Sequence, residues 1–240
     1  SRFGAVEINR SFHRPHRPAT YARWSASVPA SFRFSVKVPK TITHGLRLRD
    51  AGELLESFLV EVAGLGDKLG CLLVQLPPSL VFEPEVAASF FRDLRLRSPA
   101  PLACEPRHAS WFDSSAGDLL RDLEVARVAA DPARVPEAGE PGGWRGMSYY
   151  RFHGSPRMYY SAYSEEYIDA AWSMGRVLDL AGHLWIPALV IAIVFHRWQS
   201  PAMSVSASSS AAIRSASSTC RRRSRMAPGP IRRKSKRCSR

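Results

Sequence analysis

Within PLACEPRHASWF, residues 101–112, a run of small and apolar residues ends in Glu105, Arg107 and His108. SYYRFHG, residues 148–154, repeats the device with Arg151 and His153. Four more segments end in polar groups: Glu7 and Asn9 in AVEIN, Lys37 in FRFSVKV, Gln75 in CLLVQL, and Asp131 after VARVAA. These residue types suit acid–base chemistry on an anion. Glu7, Glu105 and Asp131 offer carboxylates, and burial can raise one pKa while a neighbouring guanidinium lowers another. His108 and His153 exchange protons near neutrality. Lys37, if desolvated between cations, is a Schiff-base nucleophile. Arg107 and Arg151 can clamp a carboxylate or phosphate with two parallel hydrogen bonds. Tyr160, with Tyr159 and Tyr163, follows the last segment and is placed to line a pocket. The alternative is that these charges pair among themselves in a buried network without turnover. Glu7, Glu105, Asp131 and His153 have metal-ligand chemistry, but no spaced motif such as H-E-x-x-H supports a metal, and no motif names a cofactor.

To bring such groups together, the apolar segments must be strands whose ends meet. Six read as strands: 5–9, 32–38, 71–76, 101–105, 125–130 and 148–153. Helical spacing occupies 51–65 and 85–94, and two more helices are expected at 113–123 and 164–180, each opened by an N-cap type residue. Strand and helix alternate, which predicts parallel strands with crossover helices. One unit takes about 29 residues, so eight would approach the length of about 250 typical of a TIM-type (β/α) barrel. A doubly wound sheet fits less well, because the turn after the first strand, EINRSFHRP, lacks the glycines of a phosphate loop. In a parallel barrel all C-terminal strand ends share one face, so residues far apart in sequence form one bowl.

The net charge of +13 is unevenly distributed. Twelve of the 34 Lys and Arg residues follow residue 179 and no Asp or Glu does, so 22 basic residues face 21 acidic ones in residues 1–179. Any polyanionic partner is therefore expected through the tail alone. Two regions follow: residues 1–182, a partial barrel, and residues 183–240, a Ser/Arg-rich tail expected to be disordered or out of frame. Cys71 and Cys104 sit in apolar runs and Cys220 and Cys238 in the tail, which reads as reduced thiols in the cytoplasm. The opening residues do not read as a signal peptide. The longest apolar run, 184–195, is interrupted by Pro187 and too short to cross a bilayer, so no membrane partner is expected. Trp24, Trp111 and Trp144 are expected to pack rather than to stack on bases.

VEINRSF (6–12), FRFSVKVPKTITH (32–44), LGDKLGCLLVQLPPSLVF (65–82), CEPRHASWF (104–112) and YRFHGSPRMYYSAYS (150–164) together resemble the bacterial and archaeal YecE-like family, domain of unknown function 72. The resemblance covers about residues 3–170 and implies a TIM-type barrel. It adds His44 to the strand-end set of Glu7, Asn9, Lys37, Gln75, Glu105, Arg107, His108, Arg151 and His153. His13 and Pro106 stand where the family usually has a tyrosine and an aromatic. The family opens with a strand like GTSGW and closes with one like IFDNT, so the expectation here is an incomplete barrel without those first and last strands. The expected function is a small-molecule enzyme acting on a phosphorylated or sugar-like substrate, with proton transfer at Glu105 and His153 and an anion held by Arg107 or Arg151. The rivals are a nucleic-acid binding or processing barrel and an inactive truncated product.

Overall fold

The computed structural model describes residues 4–154, 157, 160–164, 166–167 and 193–194, all within the compact unit Ser1–Trp198. Beyond Tyr167, the expected helix at 164–180 lies outside the described residues, as do Tyr159 and the tail apart from residues 193–194.

The expected strands form as β1 (Ala5–Ile8), β2 (Arg33–Lys37), β3 (Leu69–Gln75) and β4 (Leu102–Glu105). The segment expected as one strand at 125–130 divides into β5 (Val125–Arg127) and β6 (Ala129–Asp131). After them come β7 (Gly142–Gly143), β8 (Ser148–Phe152) and β9 (Ile193–Val194). Strands β1 to β5 lie in sequence order, each parallel to the next. The chain then changes partner: β5 pairs with β4, while β6, after only Val128, pairs in parallel with β8. The Val128 amide still donates to the Cys104 carbonyl (2.8 Å), and the change of partner follows directly after it. Strand β9 runs antiparallel to β8 and comes near β1 without a ladder between them. Among the described residues the fold is therefore α/β with mixed, mainly parallel sheets and is not a closed barrel. The short β7 pairs antiparallel with β5.

The crossovers are α1 (Pro18–Ala26), α2 (Gly52–Val62), α3 (Pro84–Arg97) and α4 (Ser114–Asp122). Helix α1 was not expected from the sequence: it has proline at its start, where a missing amide costs nothing, and buries only Tyr21 fully. It lies so close to Gly64 that a Cβ there would fall 2.3 Å from the Pro18 carbonyl oxygen. No helix among the described residues is long and apolar enough to cross a membrane.

The pleat sends alternate residues to opposite faces. Phe34, Val36, Leu72, Val74, Leu102 and Val125 join Leu55, Phe58, Phe91 and Leu94 of the helices in one apolar cluster. Cys71, Leu73, Ala103, Ala126, Val128, Met147 and Tyr149 form a second, on the other face. Trp111 is buried in the first cluster, Trp24 packs against it, and Trp144 packs against the second, as packing roles require. Both faces are buried, which is why these strands read as nearly unbroken apolar runs.

Candidate functional site

On the face that carries the second cluster, the residues one pleat further towards the strand ends are ionic. Glu7, Lys37, Gln75, Glu105, Arg151 and His153 are all buried there. Arg151, 3% exposed, is their centre. Its Nε and Nη2 donate to Glu7 Oε2 (3.2 Å) and Oε1 (2.9 Å), and its Nη1 donates to Glu105 Oε2 (2.5 Å). Further donors reach both carboxylates. Tyr149 donates to Glu7 Oε2 (2.6 Å), and because its one proton is spent there, Ser35 Oγ donates to the tyrosine oxygen at 2.9 Å. Gln75 Nε2 donates to Glu105 Oε2 (2.9 Å), while Arg107 Nε and Nη2 converge on Glu105 Oε1 at 2.9 and 2.8 Å.

These partners decide protonation. Burial pushes the Glu105 carboxyl upward, but Arg151, Arg107 and the Gln75 amide outweigh it and hold it at about 2. The Arg151 guanidinium loses by burial and gains more from Glu105 and Glu7, so its affinity for the proton rises. Burial and the adjacent Glu7 push the Tyr149 hydroxyl well above its ordinary value.

Lys37 follows a different rule. Its ammonium lies 3.8 Å from the centroid of the Phe12 ring, and among the described residues it makes no hydrogen bond or ion pair. Only 7% of the residue is exposed. Burial and Arg151 lower its pKa, Glu105 and Glu7 oppose them, and Arg107 lowers it further, to about 8. Phe12 reaches this position because Asn9 opens the short turn Arg10–Phe12, whose Ser11 hydroxyl donates to the Ile8 and Lys37 carbonyls (3.0 and 2.7 Å). Two imidazoles share the region. His153 is lowered by burial and by Arg151 and Arg107 against Glu105 and Glu7, and its amide donates to the Asp131 carbonyl (2.8 Å). His44 bonds Thr43 Oγ1 (2.9 Å), meets Phe12 edge-on, and is lowered by burial, Lys37, Lys40 and Arg107.

The structure thus gathers Glu7, Lys37, Gln75, Glu105, Arg107, Arg151 and His153 around one network and sets Asn9 and His44 at its edge. Three expected residues stand apart. The His108 Nδ1 accepts the Ser110 amide (3.2 Å) and hydroxyl (2.9 Å), capping the turn Ala109–Phe112. Asp131 keeps Oδ2 buried without a hydrogen bond among the described residues, while its carbonyl accepts from His153 and from the Tyr163 hydroxyl (3.1 Å). Tyr160 is 72% exposed and lies against the Arg157 guanidinium, away from the network. No group of three or more His, Cys, Asp or Glu among the described residues could hold a metal. Tyr149, Ser35, Ser11 and Phe12 also contact this candidate site, and the sequence reading missed them. Tyr149 and Ser35 lie two positions before Arg151 and Lys37, so counting back by the strand period finds them.

The same residues can be set against known proteins. The family model described as "Protein of unknown function DUF72" matches residues 1–213. The UPF0759 protein YecE of Escherichia coli K12 is 30% identical over 142 residues, covering 57% of this chain and 52% of that protein. Its namesake from Escherichia coli O157:H7 is 30% identical over 111 residues, covering 46% and 40%. The chain spans about half the length, or less, of these curated relatives. A crystal structure of a DUF72 family protein from Thermotoga maritima superposes with a TM-score of 0.57 at 26% identity over 71% of each chain. Another, from Enterococcus faecalis, gives 0.59 at 22% identity over 72% of this chain and 78% of that one, a likeness of fold alone.

Proposed function

The chain belongs to the DUF72 family, and from that premise we propose that it is an enzyme that binds a small anionic substrate, phosphorylated or sugar-like, at the C-terminal ends of its parallel strands. We read the curled sheet as an incomplete TIM-type barrel, a reading supported by the order β1 to β5, the continuation through β6 and β8, and the approach of β9 to β1. In that architecture strand-end polar groups serve a ligand site, an argument by analogy of fold.

Lys37 carries the proposal. A network built only for stability would pair its buried lysine; here the two carboxylates are engaged by guanidiniums, a tyrosine and an amide, and among the described residues none forms an ion pair with the amine. Two guanidiniums, Arg151 and Arg107, face two carboxylate side chains, Glu7 and Glu105, so a charged Lys37 adds one positive charge for an anion to neutralise. Arg107, whose side chain is 26% exposed, is the guanidinium within a ligand's reach, since Arg151 is enclosed. Proton transfer falls to Lys37 and His153. Glu105, held at about 2, stays ionised at neutral pH and orients the two arginines instead of delivering a proton.

The test is thermal melting of the full chain with inorganic phosphate, glyceraldehyde 3-phosphate and a DNA oligomer, each at low and high salt. The expected result is a rise in Tm with the phosphates that is lost in Arg107→Ala and in Lys37→Met. A DNA-induced rise that survives in Lys37→Met and disappears at high salt moves the function to the basic tail.

A further inference from the structure

Resting on that reading and naming its substrate class, we propose that Lys37 forms a covalent imine with a small oxo compound that carries an anionic group. The amine stands at the end of β2 over the Phe12 ring and within electrostatic reach of the ion pairs that Arg151 and Arg107 make with Glu7 and Glu105. Both guanidiniums engage Glu105, and Arg151 engages Glu7 as well, so no carboxylate closes on the ammonium among the described residues. The charged groups acting on it are Arg151, Arg107, Glu105 and Glu7, with His44 beside it, and the positive neighbours together with burial favour the neutral amine. A neutral, buried amine with a cation close by is the arrangement that makes lysine a nucleophile towards carbonyls. The Arg107 guanidinium, partly exposed, is available for the anionic end of the same molecule.

The step is balanced within these groups. Lys37 gives up one proton to become the free amine, its lone pair bonds the carbonyl carbon, and the carbonyl π pair moves to oxygen. The carbinolamine oxygen takes that proton and a second from the attacking nitrogen and leaves as water while the nitrogen lone pair closes the C=N bond. An oxo compound and an ammonium thus give an iminium and one water, with no oxidant or reductant.

The experiment uses the full chain with sodium cyanoborohydride, which delivers hydride to an iminium, and either pyruvate or dihydroxyacetone phosphate as the oxo compound. Peptide mass spectrometry compares Lys37 with the exposed Lys40 at pH 7.5. An amine with a pKa of about 8 holds on the order of a hundredfold more neutral form there than an ordinary lysine, so alkylation of Lys37 at least about tenfold faster is expected with one probe or both. The probe that reacts distinguishes a carboxylate from a phosphate partner. Labelling of Lys37 no faster than Lys40 with both probes overturns the imine. Melting with inorganic phosphate and no reductant runs in parallel. Stabilisation without labelling sinks the imine and leaves the anion site standing, and neither effect sinks both.

Discussion

Phe34, Val36, Leu72, Val74 and Leu102 leave one face of the sheet for an apolar cluster shared with α2 and α3. The residues between and beside them, Ser35, Lys37, Gln75 and Glu105, leave the other face and enter a network of hydrogen bonds and charge. Both sets are buried, yet different physics holds them. Apolar packing is non-directional and tolerates exchange at constant volume. An ionic network in a low-dielectric interior holds only while every member is present, because a remaining partner becomes an unpaired buried charge. Within that second region a finer contrast appears. Arg151 bridges both carboxylates and belongs to stability, whereas Lys37 has no carboxylate partner among the described residues and its burial costs stability.

Removing Arg151 breaks this contrast most severely. Arg151→Met leaves Glu7 and Glu105 buried without their shared cation, and the expected loss is about 3–5 kcal/mol of unfolding free energy by urea denaturation. Arg151→Lys keeps the charge but not the fork that reaches both carboxylates, and should recover only part of the loss. A double variant, Arg151→Met with Glu105→Gln, should be less destabilised than the two single effects added together. Additivity would mean that the pair is not coupled.

The second effect distinguishes the two faces by pH. Glu105 has a folded pKa of about 2 against an ordinary 4.5, so the unfolded chain binds the extra proton as pH falls. The stability it contributes is complete above about 4.5 and is lost as pH descends through 2, an amount on the order of 3 kcal/mol. Glu105→Gln should flatten that acid limb of the stability curve. Leu72→Ala, on the other face, should cost about 3 kcal/mol equally at pH 7 and pH 3. A Leu72→Ala penalty that follows pH, or an acid limb unchanged in Glu105→Gln, removes the distinction.

The two faces were also unequally legible. The strand ends could be read because a polar group closing an apolar run is a local signal, and Glu7, Lys37, Gln75, Glu105, Arg151 and His153 all announced themselves in that way. Who pairs with whom was not local: Arg151 and Glu7 lie 144 positions apart, and nothing near either one encodes the contact. For the same reason the sequence offered proton transfer at Glu105 without revealing that two guanidiniums and an amide would claim it. VARVAA read as one strand because a change of partner at Val128 leaves no trace in an apolar run. Helix α1 escaped because its buried contribution is essentially Tyr21, too little to make a stripe. The role of His108 as a cap depends on backbone geometry that residue type alone does not carry.

The third effect has the opposite sign. Folding must lower the Lys37 pKa from 10.5 to about 8, so at neutral pH the folded state holds a charge that its surroundings disfavour. Lys37→Met should therefore raise stability at pH 7 by about 3 kcal/mol while removing the phosphate-induced rise in Tm. Between pH 8 and 10.5 the folded chain has lost this proton while the unfolded chain still holds it, so wild-type stability from this group rises and the advantage of methionine shrinks to nothing. Urea denaturation of both chains at pH 7 and pH 10.5 measures it. A destabilised Lys37→Met at pH 7 would place Lys37 with Arg151, as part of the structural network.

The smallest effect concerns the Phe12 ring beneath that amine. An aromatic face attracts a cation through its quadrupole, by about 0.5–2 kcal/mol depending on desolvation, while a leucine of similar bulk excludes water without attracting charge. Phe12→Leu therefore removes support for the charged form alone, and the Lys37 pKa should fall below about 8 by roughly 0.5–1. The midpoint of Lys37 reductive alkylation against pH reports it directly, with Lys40 in the same chain as the unchanged reference. A midpoint that rises would mean that the ring acts by excluding water and that leucine lets water in. A midpoint that falls means that the ring offsets part of the cost of burying the ammonium through its quadrupole, without neutralising the charge as a carboxylate would.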